Sequence, residues 1–192
     1  MTTQIKQFLD QFLPLPDYEF QDFMDLAQEQ HIKKREHLIR AGETSHKIAF
    51  FFDGYFRFYH YLADGTEVTS DFYFAPNIVT SYTSLITETP SQVYVQAMED
   101  MDLLILTKSG INELYSKYTN FEKLGRLLAE QVAITSERHL FALLNYSAAE
   151  RYQYLLENHR HFIENIPLQY IASYLGITKE TLSRIRKKFS GS

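Results

Sequence analysis

The side chains best suited to chemistry lie near the C-terminus, in the stretch that ends at Lys188. Glu180 can accept a hydrogen bond from a cytosine amino group, and Arg184, four positions later, can donate two to a guanine. Hydroxyl and ammonium groups suited to phosphate oxygens surround them. The candidate DNA-binding residues are Thr178, Lys179, Glu180, Thr181, Ser183, Arg184, Lys187 and Lys188. Their spacing predicts one face of a helix, residues 178–188, that lies in a DNA major groove.

Two short helices around a tight turn would present that face, and residues 166–188 have the pattern for them. Pro167 suits a first helical turn, where its missing N–H costs nothing. Gly176 stands where the first helix must end and the backbone needs a positive φ, and Thr178 can cap the second helix. The apolar positions that face a shared core are Leu168, Ile171, Ala172, Leu175, Leu182 and Ile185.

An ordinary helical hairpin with a solvated basic end is the alternative, because charge runs usually mark solvated faces. The charge distribution favours the DNA-binding interpretation. The net charge is −5, but residues 150–192 hold seven Lys and Arg against four Asp and Glu, whereas residues 1–149 hold 12 against 20. An acidic body with a basic end predicts that nucleic acid docks on that end alone.

The composition excludes several other classes. With 192 residues, 45% hydrophobic and 22% charged, the chain fits a globular protein of one large or two small domains. It has no cysteine, which excludes disulfides, cysteine-ligated iron–sulfur clusters and thiol chemistry. The start lacks a signal-peptide pattern and no apolar run is long enough for a bilayer, so a cytoplasmic protein with no membrane partner is expected.

The body of the chain predicts helices followed by a β-domain. Apolar residues at helical spacing predict helices over residues 4–13 and 17–30. From about Lys34 to Thr107, glycines in turn contexts alternate with aromatic and β-branched runs, which favours a β-sandwich or small barrel. The predicted strands are Ile48–Phe52, Tyr55–Tyr61, Glu67–Phe74, Gln92–Met98 and Leu103–Leu106.

A long helix should connect this β-domain to the C-terminal pair. Residues 108–117 predict a short helix, and residues 120–145 a long one, about 40 Å at 1.5 Å per residue. The apolar surface of the long helix is wider than one packing seam, so it can pack on the β-domain and also pair with a twin helix. We therefore expect a homodimer, although a helix that packs only within its own subunit is the alternative. Residues 148–158 predict another helix, and residues 159–165 a linker.

The sequence resembles the Crp/Fnr family of bacterial transcription regulators over nearly its whole length. The resemblance rests on Ala41-Gly-Glu43, Phe51-Phe-Asp-Gly54 with Tyr55-Phe-Arg57, Glu150-Arg-Tyr152, and the run from Ile171 to Arg186. It implies an α+β architecture: a jelly-roll-like double-stranded β-helix sensor domain with N-terminal helices (residues 1–118), a dimerisation helix (119–146) and a helix-turn-helix domain (147–192). It also implies a homodimer on a near-palindromic duplex, contact with RNA polymerase, and base reading by Lys179, Glu180 and Arg184.

Two features depart from that family. Family members often have a β-hairpin wing after the recognition helix, whereas this chain ends at Phe189-Ser-Gly-Ser192. The cyclic-nucleotide cassette, with its Gly-Glu and Arg-Ser pairs, is also absent. The corresponding stretch, residues 74–92, has no glycine and no cation, and no Lys or Arg occurs between Arg57 and Lys108. A phosphate in a partly desolvated pocket needs a cation or converging amides, so we expect an effector other than a cyclic nucleotide.

Three alternatives remain open at this stage. An atypical pocket could still respond to a cyclic nucleotide, with Arg57 or the long helix supplying contacts. Tyr73, Phe74, Tyr82 and Tyr94 could line a pocket for an unknown small-molecule effector, although core packing also explains them. A β-sandwich ligand-binding or metal-enzyme module would need clustered histidines, but His37, His46 and His60 are far apart and no catalytic spacing occurs. We expect neither a cofactor nor a metal site.

Overall fold

The computed structural model describes residues 1–190, apart from the side chains of residues 161, 162, 189 and 190. Eight helices and eight strands occur in this part of the chain. In order they are α1 (Thr2–Asp10), α2 (Asp17–Leu26), β1 (Gln28–Ile32), β2 (His37–Ile39), β3 (Lys47–Phe51), β4 (Tyr55–Tyr61), β5 (Glu67–Phe74), β6 (Asn77–Val79), α3 (Tyr82–Thr87), β7 (Tyr94–Ala97), β8 (Met101–Thr107), α4 (Lys108–Lys117), α5 (Thr119–Asn145), α6 (Ala148–Ile163), α7 (Leu168–Tyr174) and α8 (Lys179–Ser190).

Two four-stranded antiparallel sheets form a sandwich, with strand orders β1-β8-β3-β6 and β2-β7-β4-β5. The jelly-roll-like class is confirmed. Alternating strand residues fill the space between the sheets, as in the pair Phe51 and Phe56, whose rings lie 5.0 Å apart edge to face. Val95, Ala97 and Leu103 are fully buried in the same core.

Helices cover the outer face of each sheet. On the first sheet, Phe50 and Leu104 pack under α1, α2, α4 and the start of α5, with Phe23 and Phe121 stacked at 6.1 Å. On the second sheet, Phe72 packs under the C-terminal helices α6, α7 and α8. Four layers result, in which apolar side chains of these helices are buried against the sheets or against one another.

Some predicted boundaries are wrong, for local reasons. The helix predicted over residues 17–30 ends at Leu26, because residues 28–32 pair with β8 as an edge strand. The linker predicted over residues 159–165 is helical up to Ile163 and merely kinks at His159. The first helix spans Thr2–Asp10 rather than residues 4–13, and β7 begins at Tyr94 rather than at residue 92. The short elements β2, β6 and α3 were not predicted.

The long helix is confirmed as α5, with 27 residues. Only its first turns, through Phe121 and Leu124, are buried within the subunit. No helix in residues 1–190 is both long and apolar enough to cross a membrane.

Candidate nucleic-acid interface and effector cleft

The turn between α7 and α8 is tight, and its backbone N–H groups donate hydrogen bonds to carbonyl groups of α7. Gly176 has φ +65°, the left-handed conformation that its position predicted. Its N–H donates to the Ser173 carbonyl at 3.0 Å, and Ile177 N–H donates to the Ala172 carbonyl at 3.0 Å. Thr178 Oγ1 accepts the Thr181 N–H at 3.2 Å and caps α8, as predicted. The predicted pair of helices around this turn is therefore confirmed.

The two sides of α8 differ in burial and chemistry. Leu182 is fully buried and Ile185 partly buried, both against the core formed with α6 and α7. Ala172 on α7 is 1% exposed and belongs to the same buried core as Leu182. The predicted contact residues Lys179, Glu180, Ser183, Arg184, Lys187 and Lys188 are exposed, and Thr181 is half-buried. A buried apolar side thus holds an exposed polar side in a fixed orientation.

Local hydrogen bonds order the exposed side of α8. Arg184 Nη2 donates to Thr181 Oγ1 at 3.2 Å, and Lys179 Nζ donates to Gln169 Oε1 at 3.3 Å. Backbone and Thr178 hydrogen bonds at the helix start hold the pKa of the Glu180 carboxyl below its usual range. Glu180 is therefore an acceptor at neutral pH, which is the state that a cytosine amino group requires.

The C-terminal half of α5 exposes an apolar surface. Leu144 is 76% exposed, and Ile134, Leu140, Phe141 and Leu143 are also exposed. Large apolar side chains clustered on one helix are unusual for a surface that faces only water. Leu128, nearer the start of the helix, packs instead against the core of its own subunit.

A buried arginine joins the β-sandwich to the C-terminal helices. Arg57 on β4 is 2% exposed, and its guanidinium carbon lies 4.1 Å from the centre of the Tyr59 ring and 3.9 Å from that of the Tyr170 ring on α7. Its terminal nitrogens donate hydrogen bonds to Glu67, Thr69 and Gln96, at 2.6, 3.2 and 3.1 Å. The sequence did not indicate this role, because a charged side chain is seldom fully buried.

In the stretch that corresponds to the nucleotide cassette, residues 74–92, serine hydroxyl groups form hydrogen bonds within the chain. Ser91 Oγ donates to Ser81 Oγ at 2.9 Å, and the Ser84 hydroxyl accepts the Ser45 N–H at 2.9 Å. The nearby Lys108 Nζ donates to the Leu85 carbonyl at 2.7 Å and is paired with Glu88. These polar groups are satisfied within the chain, without a phosphate.

A cleft of about 660 Å³ lies where β5, α5, α6 and α7 meet. Because β5 is an edge strand, both of its faces border the cleft: Asp71 and Tyr73 on one, Phe72 and Phe74 on the other. The remaining walls are Asn77, Thr135, Glu137, Arg138, His139, Phe141, Ala142, Leu143, Tyr146, Arg151, Tyr154, Leu155, His159 and Tyr174.

The four aromatic residues predicted to line one effector pocket do not come together. Tyr73 and Phe74 border the cleft, and Phe74 stacks on His159 at 4.7 Å. Tyr94 instead stacks on Tyr59 at 4.8 Å, and Tyr82 is 42% exposed on α3. Sequence spacing could not place the C-terminal helices beside β5, so it missed the cleft residues that those helices contribute.

Of the three histidines considered for a metal site, His37 contacts a tyrosine side chain. His37 Nε2 and the Tyr59 hydroxyl are 2.8 Å apart. Within the described residues, no group of three or more His, Asp or Glu side chains is placed to hold a metal ion. The His161 side chain and residues 191–192 lie outside the described part of the chain.

Comparisons with known proteins agree with this architecture. Residues 29–118 match the family model of the cyclic nucleotide-binding domain. FixK2 from Bradyrhizobium japonicum superimposes with a TM-score of 0.71 at 22% identity, over 86% of this chain and 85% of that one. A transcriptional regulator of the Crp/Fnr family from Eubacterium rectale gives 0.67 at 20% identity, over 92% and 84%. The chain has the fold of the Crp/Fnr-family regulators.

Another regulator with the Crp/Fnr fold is similar over an equally large part of the chain. CLP from Xanthomonas campestris, described as a c-di-GMP-responsive global regulator, gives a TM-score of 0.69 at 14% identity, over 92% of each chain. No curated protein matches the sequence. The Crp/Fnr fold thus covers the sandwich, α5 and the C-terminal helices together.

Proposed function

We propose that the protein is a sequence-specific DNA-binding transcription regulator of the Crp/Fnr type. The observation that carries the proposal is the exposed polar side of α8, held by buried Leu182 behind a closed turn. A recognition helix needs this arrangement, because base edges are read only when the side chains have a fixed orientation. Residues 178–188 then form the recognition helix, and Glu180 and Arg184 contact bases.

The proposed assembly is a homodimer through α5. Its apolar residues Ile134, Leu140, Phe141, Leu143 and Leu144 are exposed, and a twin helix in a two-fold dimer would bury them. Two recognition helices about 34 Å apart fit one turn of duplex, so the expected site is near-palindromic. The division into residues 1–118, 119–146 and 147–192 assigns sensing, dimerisation and DNA binding to separate parts. RNA polymerase is a further proposed partner.

The proposed effector is not cyclic AMP or GMP, although residues 29–118 match the cyclic nucleotide-binding domain. Arg57 on β4 is a cation that could bind a nucleotide phosphate, but its terminal nitrogens already donate hydrogen bonds to Glu67, Thr69 and Gln96. The cassette stretch satisfies its own hydroxyls and supplies no cation. Calorimetry that showed micromolar or tighter binding of either nucleotide would favour the alternative, a cyclic-nucleotide regulator with an atypical pocket.

Selection from a pool of random duplexes with the full-length protein tests the proposed function. We expect enrichment of a near-palindrome whose half-sites are centred about one helical turn apart. Enrichment of no sequence, with equal retention of all duplexes, would contradict the proposal. If a single half-site without symmetry is enriched, the homodimer is wrong while DNA binding stands.

A further inference from the structure

We propose that the cleft bordered by β5, α5, α6 and α7 binds a small organic amine with an aromatic or apolar body. This inference rests on the proposed function, because it gives the effector of the proposed regulator a site and a chemical class. The binding claim itself concerns only the protein and the ligand. It can therefore be tested without DNA.

Asp71 supplies the anionic group of the cleft. It is half-buried on β5, and its Oδ1 accepts the Phe72 N–H at 2.8 Å. Among the described side chains, no lysine or arginine forms an ion pair with it. His139 opposes the rise that burial causes in the pKa of Asp71, and the His139 Nδ1 atom lies 3.4 Å from the Tyr174 hydroxyl oxygen. A partly buried carboxylate without a lysine or arginine is a natural site for a ligand ammonium group.

The walls around Asp71 suit the rest of such a ligand. Tyr73, Tyr146 and Tyr154 border the cleft, as do apolar side chains such as Leu155. Ring faces attract cations, and the apolar surface suits a hydrocarbon body. A volume of about 660 Å³ is in the usual range for small-molecule sites.

The two arginines at the cleft do not make it an anion site. Arg151 Nη2 already donates to the Leu175 carbonyl at 2.9 Å, and Arg151 Nε, which has no hydrogen-bond partner among the described residues, is buried and not exposed to the cleft solvent. Arg138 is exposed beside Glu137, so solvent screens its charge. An anionic ligand would have to approach the Asp71 carboxylate in the more enclosed part, where repulsion is least screened. The arrangement therefore favours a cation over an anion of the same shape.

Calorimetry with three probes of one shape tests the ligand class on the full-length protein. The probes are phenethylamine, 2-phenylethanol and phenylacetate, which differ in the charge of the terminal group. We expect phenethylamine to bind about tenfold or more tightly than either of the others. The proposal is overturned if none of the three binds, or if the alcohol or the acid binds as tightly as the amine.

Two matched variants locate the site. Asp71→Asn should abolish the preference for phenethylamine over 2-phenylethanol, whereas Glu137→Gln, which removes an exposed carboxylate from the same cleft, should keep it. Thermal unfolding shows that each variant is folded before binding is measured. A preference that survives Asp71→Asn, or that is lost with Glu137→Gln, would overturn the assignment to Asp71. Amine binding by a protein that selects no DNA sequence would contradict the proposed function and leave the amine site standing.

Discussion

Arg57 is a charged residue that is almost fully buried, whereas buried positions are usually occupied by apolar side chains. It lies between the rings of Tyr59 and Tyr170, and it bonds three side chains of the sheet. Desolvated cation–π contacts contribute about 2 kcal/mol or more, and each hydrogen bond to a charged group adds to that. Arg57 thus holds α7 to β4, because it packs on the Tyr59 ring of β4 and on the Tyr170 ring of α7.

We expect Arg57→Met to lower the free energy of unfolding by about 2 kcal/mol, since the methionine keeps much of the volume but none of the donors. Urea unfolding of the full-length protein measures this change. Arg40→Met, at an exposed position, is the matched control and should change stability by about 0.5 kcal/mol or less. Equal and small effects of the two substitutions would show that Arg57 does not stabilise the interface.

Ionisation of Asp71 should make the free energy of unfolding depend on pH. Burial raises the pKa of its carboxyl, and His139 offsets part of that increase. The folded state therefore binds the proton more tightly than the unfolded state. At pH values above the raised pKa, ionisation of Asp71 lowers the free energy of unfolding by its full amount. This destabilisation decreases as the pH falls below the raised pKa, and it vanishes near pH 4, about the ordinary pKa of an aspartate. Tyr73 and Tyr174, the neutral groups that face it, stay protonated because burial raises their pKa values as well.

Asp71→Asn should accordingly be more stable than the wild type at pH 7, and the gap should close as pH falls to about 4. Thermal unfolding over that pH range measures the difference. Asp64→Asn is the control: Asp64 lies in the exposed hairpin turn and accepts the Thr66 N–H at 2.9 Å, so its replacement should bring no gain. A gap for Asp71→Asn that does not vary with pH would contradict the account.

Among the helices, α5 is the one through which we propose that two subunits pair. Leu128 packs in its own subunit, so a charge there would damage the fold as well as any interface. Ile134 is 43% exposed, so a charge at this position should disrupt an interface without damaging the fold of the subunit. We expect the wild type to have twice the 22.6 kDa chain mass at tens of micromolar, and Ile134→Glu to be a folded monomer.

Sedimentation of Ile134→Glu beside Thr83→Glu tests the dimer. Thr83 is exposed on α3, and the second variant carries the same new charge away from α5. We expect only Ile134→Glu to dissociate. A monomeric wild type, or dissociation of both variants to the same extent, would count against dimerisation through α5.

The sequence predicted the elements whose signal is local. The cap Thr178, the turn glycine Gly176 and the length of α5 follow from chemistry within a few residues, and the structure has all three. Strand β1 was missed because its residues Gln28, Glu29, Gln30 and His31 are exposed and lack alternation; pairing with β8 alone makes them a strand. Such pairing is a long-range effect that periodicity does not report.

The two candidate sites likewise differ in whether local sequence could predict them. The exposed side of α8 was predictable, because helical spacing places its residues on one face. The cleft was not, because it forms only when α5, α6 and α7 lie beside β5. For the same reason Tyr73 and Phe74 border it while Tyr82 and Tyr94 do not.

In the whole molecule, the C-terminal helices share a core with the sandwich. Phe72 contacts the ring of Tyr174 on α7 at 5.5 Å, and Thr69 N–H donates to Ser173 Oγ at 2.9 Å. Packed surfaces of this kind change between discrete arrangements rather than continuously. A ligand in the adjoining cleft would therefore bias the position of α8, which gives the proposed effector a direct physical route to the proposed DNA-binding surface.

The charge distribution gives the proposed complex a defined salt dependence. Residues 150–192 are basic while the rest of the chain is acidic, so phosphate contacts should come from the C-terminal end alone. Lys188 is exposed near the end of α8. Lys188→Ala should weaken binding to every sequence about equally and make the slope of log affinity against log salt shallower by about one per subunit.

Base reading by α8 is tested most directly by a titration of wild type and Arg184→Ala against the selected duplex and a scrambled one, at several salt concentrations. Arg126→Ala, which removes an equal charge from α5, is the control. We predict that Arg184→Ala loses about 1–3 kcal/mol per half-site on the selected duplex and much less on the scrambled one, so that the ratio of the two affinities falls. An unchanged ratio would contradict base reading by Arg184 and the assignment of α8 as the recognition helix.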